Sequence, residues 1–72
     1  MKYEGMKWMA DDSFRAGPYR IAKYDTFILE KFVDEENQFD SYYIARPIDG
    51  GDRISIPENL VSNYGLISKA GK

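Results

Sequence analysis

The chain contains no cysteine and no histidine among its 72 residues. These two absences exclude disulfide bonds, thiolate and imidazole metal ligands, a cysteine nucleophile and any histidine-based catalytic triad. Apolar runs such as residues 27–29 are far shorter than the roughly 18 residues that cross a bilayer, and no apolar signal-peptide segment follows Lys2. We therefore expect a soluble protein without membrane contacts, and the missing cysteine suits a cytoplasmic location.

Aromatic residues are abundant for so short a chain. They make up 15% of it, as six Tyr, four Phe and one Trp. A chain of this length forms one domain with a radius of gyration of roughly 11 Å and a thin core. Because each ring buries on the order of 150–250 Å2, a few rings can fill that core.

Negative charge is concentrated in the middle of the chain. Residues 34–52 carry six acidic residues against Arg46 alone, a net −5, whereas the whole chain has a net charge of −2. Binding along the phosphate backbone of a nucleic acid requires clustered Lys and Arg, and residues 34–52 lack such a cluster. A basic protein partner or a solvated loop fits the acidic centre better.

Alternating apolar residues and turn residues predict short strands rather than long helices. We predict strands at residues 19–24, 26–33, 42–46, 53–56 and 63–67, and one turn of 310 helix at 57–61. Gly50 and Gly51 tolerate the positive φ of a tight hairpin between the third and fourth strands. Short strands with no convincing long helix predict an all-β fold, a small five-stranded barrel.

The side-chain alternation of the second predicted strand assigns its faces. Phe27 and Leu29 are expected on one side, and Ile28 and Phe32 on the other.

The first eighteen residues fit two interpretations. Tyr3, Met6 and Ala10 lie near helical spacing, but Gly5 costs about 1 kcal/mol within a helix. A strand through Met6, Trp8 and Ala10 is slightly favoured. We accordingly divide the chain into an N-terminal extension or extra strand at 1–18, a barrel at 19–67 and a flexible tail at 68–72.

A pattern in residues 42–61 resembles the second half of an SH3 domain. Tyr42-Tyr43-Ile44-Ala45-Arg46 is followed by a Gly-Gly turn and then by Ile54-Ser55-Ile56-Pro57-Glu58-Asn59-Leu60-Val61. The resemblance implies an SH3-like barrel. In that family the first aromatic residue of the pair, the proline and the aromatic residue after the asparagine form grooves for proline-rich peptides.

Carried over by position, Tyr42, Pro57 and Asn59 match the binding residues of the family. Leu60 replaces the usual groove tyrosine, and Ile54 replaces a usual glycine. In the N-terminal half, two segments resemble family motifs in different registers: residues 22–25, which contain Tyr24, and residues 12–17. Neither alignment restores a full peptide-binding SH3 domain, so the resemblance implies the fold rather than polyproline recognition.

Two groups of residues are candidates for binding a partner. Tyr42, Tyr43, Tyr24, Tyr64 and Trp8 could share an exposed aromatic platform, although core filling is the alternative for each ring. The acidic stretch at 34–40 could meet a basic partner. It lacks the glycine and the glutamate that an EF-hand requires at positions 6 and 12, so no metal site is predicted. The partner-binding candidates are Tyr42, Pro57, Asn59, Tyr24, Asp34, Glu35, Glu36 and Asp40.

Catalysis has little support in the sequence. No histidine activates the serines, no Gly-rich phosphate loop is present, and a domain of this size has no deep pocket in which Glu30 and a second acid could acquire shifted pKa values. We expect neither an enzyme nor a cofactor.

The sequence therefore predicts a protein-protein interaction module that binds a larger protein through exposed aromatics and the acidic loop. An accessory subunit, or a small inhibitor or regulator of the kind that phages encode, has this size. The alternative is a nucleic-acid-associated barrel of the Tudor or KOW kind, because Arg15, Arg20, Lys23 and Lys31 alternate with aromatic residues.

Overall fold

The computed structural model describes residues 3–36 and 40–68, and the regular structure of this part of the chain consists of short strands and one short helix. The elements are β1 (Lys7–Ala10), β2 (Phe14–Ala16), β3 (Tyr19–Ile21), β4 (Thr26–Val33), β5 (Tyr42–Pro47), β6 (Ile54–Pro57), α1 (Glu58–Asn63) and β7 (Gly65–Ser68). The Cα radius of gyration is 11.0 Å, the value expected of a compact chain of this length. The predicted all-β class is confirmed.

Five of the strands form one antiparallel sheet in the order β6-β5-β4-β1-β7. The sheet is not closed by hydrogen bonds in the described part of the chain, since β6 and β7 are its two edges. Helix α1 lies between these edges in sequence and packs against both of them. The remaining strands, β2 and β3, form a separate two-stranded ribbon that contacts β6.

The ribbon corrects the first predicted strand. Residues 19–24 do not form one strand of the main sheet: only Tyr19–Ile21 is extended, and it pairs with Phe14–Ala16. Gly17, at the first central position of the two-residue turn, has a φ of +61°, which a type II′ hairpin requires. The Gly17-Pro18 break is therefore a hairpin tip.

The N-terminal segment contains strands rather than a helix. β1 pairs with β4 on one side and with β7 on the other, so it lies inside the five-stranded sheet. The strand through Met6, Trp8 and Ala10, which the sequence slightly favoured, is present from Lys7 to Ala10 and leaves Met6 outside it. The side chains of Trp8 and Ala10 are fully buried, which explains their alternation with the half-buried Lys7 and Met9.

A β-bulge in β4 changes the predicted faces of that strand. The pairing with β5 moves from Leu29 opposite Ala45 to Lys31 opposite Ile44, which leaves Glu30 as an extra residue. Past the bulge the alternation is shifted by one residue. Phe32 consequently packs against the core on the same side as Leu29, and its predicted position on the opposite side was wrong.

The core is centred on Trp8, which is fully buried. Its indole N–H donates a 3.0 Å hydrogen bond to the carbonyl oxygen of Val61, and this bond joins β1 to α1. Gly65 passes directly over the indole. A Cβ at this position would lie 2.6 Å from the Met9 carbonyl oxygen and closer still to the Trp8 ring, so only glycine fits.

The C-terminal third follows the prediction with several corrections. Gly50 and Gly51 both have positive φ and lie in the connection from β5 to β6 as predicted, but this connection spans residues 48–53 and is not a tight hairpin. The helix after Pro57 is α-helical rather than 310 and runs to Asn63. The N–H of Tyr64 accordingly donates to the carbonyl of Leu60, four residues earlier. The last strand begins at Gly65 instead of residue 63.

Across residues 3–36 and 40–68, no helix has the length and apolar character that crossing a membrane requires.

Candidate functional site

A shallow apolar groove lies between the tip of the β2–β3 ribbon and the outer face of β5 and β6. Residues 16–19 form one wall, Tyr42 and Pro57 form the other, and Asp40 and Ser55 complete it. Its volume is about 310 Å3. We call it the Tyr42 groove.

The register of β5 and β6 places the two main wall residues. Tyr42 lies directly opposite Pro57, and the next pair is Tyr43 opposite Ile56. Because side chains alternate along a strand, Tyr42 and Pro57 face outward where Tyr43 and Ile56 face the core. Two of the three residues that the SH3 resemblance carried over as binding residues are therefore neighbours on one surface.

The opposite wall comes from residues that the sequence did not identify as a site. The hairpin turn brings Pro18 and Tyr19 to the tip of the ribbon, and Tyr19 is exposed. Gly-Pro followed by an aromatic residue is the signal that could have indicated this wall. This sequence signal indicates a groove wall only when β2 is also recognised as the strand that pairs with β3.

The acidic stretch reaches the groove through Asp40, which lines it. Asp34 is held beside the start of β5, because its carboxylate accepts a 3.2 Å hydrogen bond from the Ser41 hydroxyl. The same hydroxyl oxygen accepts the N–H of Glu35 at 3.1 Å, and Glu36 is exposed. Residues 37–39 lie outside the described part of the chain.

Ser41 is a positioning residue that the sequence did not reveal. It is the buried polar residue of the described chain, 2% exposed. Its hydroxyl makes hydrogen bonds with two residues of the acidic stretch, Asp34 and Glu35. Its carbonyl oxygen accepts the N–H of Glu58 at the start of α1. Ser41 therefore sets the position of the acidic stretch relative to Tyr42, the next residue.

Besides the three acids at 34–36, two further predicted partner-binding residues do not line the groove. Asn59 is exposed on α1 and does not line it. Tyr24 is 65% exposed in the turn before β4, where the Lys23 ammonium lies 5.3 Å from its ring centroid. Its φ of +77° is uncommon for a residue with a side chain.

The single aromatic platform is not present. Trp8 and Tyr43 are fully buried, so for them core filling is the correct alternative. Burial also raises the pKa of the Tyr43 phenol above its ordinary value, which keeps the group neutral. Tyr64 stacks on Phe14 at a centroid distance of 5.0 Å, and neither residue lines the groove.

Glu30, the candidate acid for acid-base chemistry, is engaged in ion pairs. Its carboxylate accepts hydrogen bonds from Arg53 and from Arg46, the latter at 2.7 Å. These guanidinium groups hold the pKa of Glu30 below its ordinary value of 4.5. A general acid needs the opposite shift, so the environment of Glu30 is that of a surface ion pair. No cluster of three potential metal-ligating side chains occurs in residues 3–36 and 40–68.

The chain matches no protein-family model, no curated protein and no solved structure.

Proposed function

We propose that this chain is a non-enzymatic protein-interaction module with an SH3-like barrel. In this proposal the five-stranded sheet curls around Trp8, and α1 bridges its two edges. The Tyr42 groove takes an extended segment of a larger cytoplasmic protein, as expected of an accessory subunit or a small inhibitor. The observation that carries the proposal is the pairing of outward-facing Tyr42 with Pro57 opposite the tip of the ribbon.

The composition of the groove favours an extended polypeptide as its occupant. Tyrosine and proline side chains offer large contact surfaces and lose little conformational entropy on binding. A volume of about 310 Å3 in a shallow cleft holds a few side chains of an extended peptide rather than a small molecule buried on all sides.

The acidic residues near the Tyr42 groove favour one orientation of the bound segment. Asp40 lines the groove, and Asp34 is fixed nearby by Ser41. A segment with apolar residues over Tyr42 and a Lys or Arg toward Asp40 complements both features. The acidic residues would raise the association rate more than the affinity, because they lie at a solvent-exposed rim.

The test is a pull-down from native cytosol in which capture depends on Tyr42. The tagged chain, its Tyr42→Ala variant and its Leu66→Ala variant are compared, and retained proteins are identified by mass spectrometry. Leu66 is the control because it is exposed and lies outside the groove. We expect a partner that binds the wild type and Leu66→Ala but is lost with Tyr42→Ala.

Calorimetry on the purified partner then measures the effect. Tyr42→Ala should weaken binding by about 1–2 kcal/mol or more if Tyr42 is an anchor. Circular dichroism must show that the variant is folded. Equal affinities for the wild type and a folded Tyr42→Ala variant would refute the groove as the binding site.

A further inference from the structure

The β2–β3 ribbon has a second, outward face that the Tyr42 groove does not use. Phe14, Ala16 and Ile21 face the protein interior, and Ala16 and Ile21 are buried. Side chains alternate along each strand, so Arg15 and Arg20 project from the opposite face. Both are exposed, and they lie directly opposite each other in the ribbon.

Two arginines in this arrangement repel each other. Side chains directly opposite in an antiparallel pair have Cβ atoms about 4.5–5.5 Å apart, and like charges at such positions are destabilising. The ion pairs of the described residues join Glu30 to Arg46 and Arg53, and they do not involve this pair. The adjacent acid, Asp12, accepts a 2.8 Å hydrogen bond from the Ser13 amide, and it is not in either of these ion pairs.

A shallow cleft lies beside the two arginines. It has a volume of about 260 Å3 and is lined by Ser13, Phe14, Arg15 and Arg20. Ser13 Oγ accepts the Lys23 N–H at 3.1 Å, which fixes the oxygen and leaves its own proton to be donated. Phe14 packs edge-on against the Trp8 ring and gives the cleft a fixed wall.

We propose that Arg15, Arg20 and Ser13 bind an oxyanion, the carboxylate or phosphoryl group of an acidic protein segment. Each guanidinium presents a planar fork of N–H donors that matches the two oxygens of such a group. A bound anion would also remove the repulsion between the two arginines. The site is independent of the proposed function, because the residues that line it and those that line the Tyr42 groove do not overlap.

The charge distribution favours a protein ligand over a nucleic acid. Residues 34–52 carry a net −5, and the whole chain carries −2. A nucleic-acid backbone presents a long row of phosphates and is held by many cations. Two neighbouring arginines suit one or two local anionic groups instead.

The experiment is a titration of the full chain at low salt, followed by NMR of the backbone amides and of the arginine side-chain Nε–H groups. The probes are inorganic phosphate, hexaglutamate and a short single-stranded oligonucleotide. We expect saturable shifts centred on Ser13, Arg15 and Arg20. Saturation by hexaglutamate alone identifies a carboxylate site, and saturation by phosphate alone identifies a phosphoryl site; either result supports the proposal.

Variants separate the site from general charge attraction. The double variant Arg15→Gln/Arg20→Gln should lower the affinity for the saturating probe about tenfold or more. Lys31→Gln, which removes an exposed cation of β4, should leave that affinity unchanged. Shifts spread evenly over all Lys and Arg residues, or undiminished affinity in the double variant, would overturn the proposal. Tighter binding of the oligonucleotide than of hexaglutamate would overturn it in favour of a nucleic-acid site.

Arg20→Glu gives a second readout that does not depend on the choice of probe. It replaces a repulsive cross-strand pair with an attractive one, so the thermal unfolding midpoint should rise while anion binding disappears. Retained anion binding in this variant would contradict the proposal, as would a fall in the midpoint.

Discussion

Tyr42 and Tyr43 are adjacent in the sequence and lie on opposite faces of β5. Tyr43 is fully buried, with Phe32 at a ring-centroid distance of 5.0 Å and Tyr3 at 6.3 Å. Tyr42 is half-buried and faces the groove beside Pro57. Tyrosine thus occurs in two regions, the aromatic core and the groove. The register of β5 determines which of the two adjacent tyrosines lies in each region.

We expect the core region to determine the stability of the protein and the groove region to determine its affinity for a partner. The core region around Trp8 depends on close packing and on a buried hydrogen bond to Val61. The groove region has open space on one side, so its side chains can change without leaving a cavity. Substitutions in the core should therefore change the free energy of unfolding, and those in the groove should change affinity.

The sharpest comparison is between alanine substitutions at the two adjacent tyrosines. Tyr43→Ala should lower the free energy of unfolding by about 3–5 kcal/mol, because it leaves a cavity among Phe32, Tyr3 and the rest of the core. Tyr42→Ala should lower it by less than about 1 kcal/mol. Urea unfolding followed by circular dichroism measures both, and similar losses for the two variants would contradict the assignment of faces.

Gly65→Ala tests the core with the smallest possible addition. The new Cβ would meet the Met9 carbonyl oxygen at 2.6 Å and the Trp8 ring closer still, so the strand or the indole must move. We expect a loss of about 3 kcal/mol in the free energy of unfolding. Gly51→Ala is a contrast of a different kind, since its Cβ would meet only Pro47 at 3.9 Å, and any loss of stability there comes from the φ of +116° rather than from a clash. A Gly65→Ala variant as stable as the wild type would show that the indole is not held in place.

Glu30 provides the smallest effect, at the surface and away from both regions. Its pKa is lowered in the folded state by Arg53 and Arg46, so its stabilising contribution is present above the unfolded-state pKa. That contribution is lost as the pH falls through the folded-state value. Glu30→Gln should therefore lower the thermal midpoint slightly at pH 7, and the difference should shrink as the pH falls below the ordinary value of 4.5 and vanish below the lowered folded-state pKa. A difference that grew on acidification would contradict the ion-pair assignment.

The sequence predicted best where a pattern was local. The glycine pair between β5 and β6 and the alternation of Ile54 and Ile56 needed only neighbouring residues, and both appear as predicted. The faces of β4 were partly wrong because the bulge at Glu30 is a property of its pairing with β5. No residue within β4 indicates by itself that one residue of the strand will have no partner in β5.

Residues 7–21 were harder to predict because the strands there are three or four residues long. β2 and β3 are defined by pairing with each other, and β1 is defined by its two neighbours in the sheet. A pattern of three residues does not distinguish a strand from a loop. The wall of the groove formed by Pro18 and Tyr19 was missed for this reason.

Part of the candidate site was accessible from the sequence. The SH3 resemblance placed both Tyr42 and Pro57 among the binding residues, and the register of β5 and β6 places them opposite each other. The same resemblance included Asn59, which lies on α1 outside the groove. The helix was predicted as a 310 turn, and a change of helix type alters the directions of the side chains that follow Pro57.

By itself the sequence determined the all-β class, the turn between β5 and β6 and the acidic middle of the chain. Composition and turn chemistry suffice for these features because they act over a few residues. Only the tertiary structure decided which tyrosine is buried, that β1 lies within the sheet and that Arg15 faces Arg20. These properties depend on strand register, and register is set by the packing of distant segments around Trp8 rather than by any one of them.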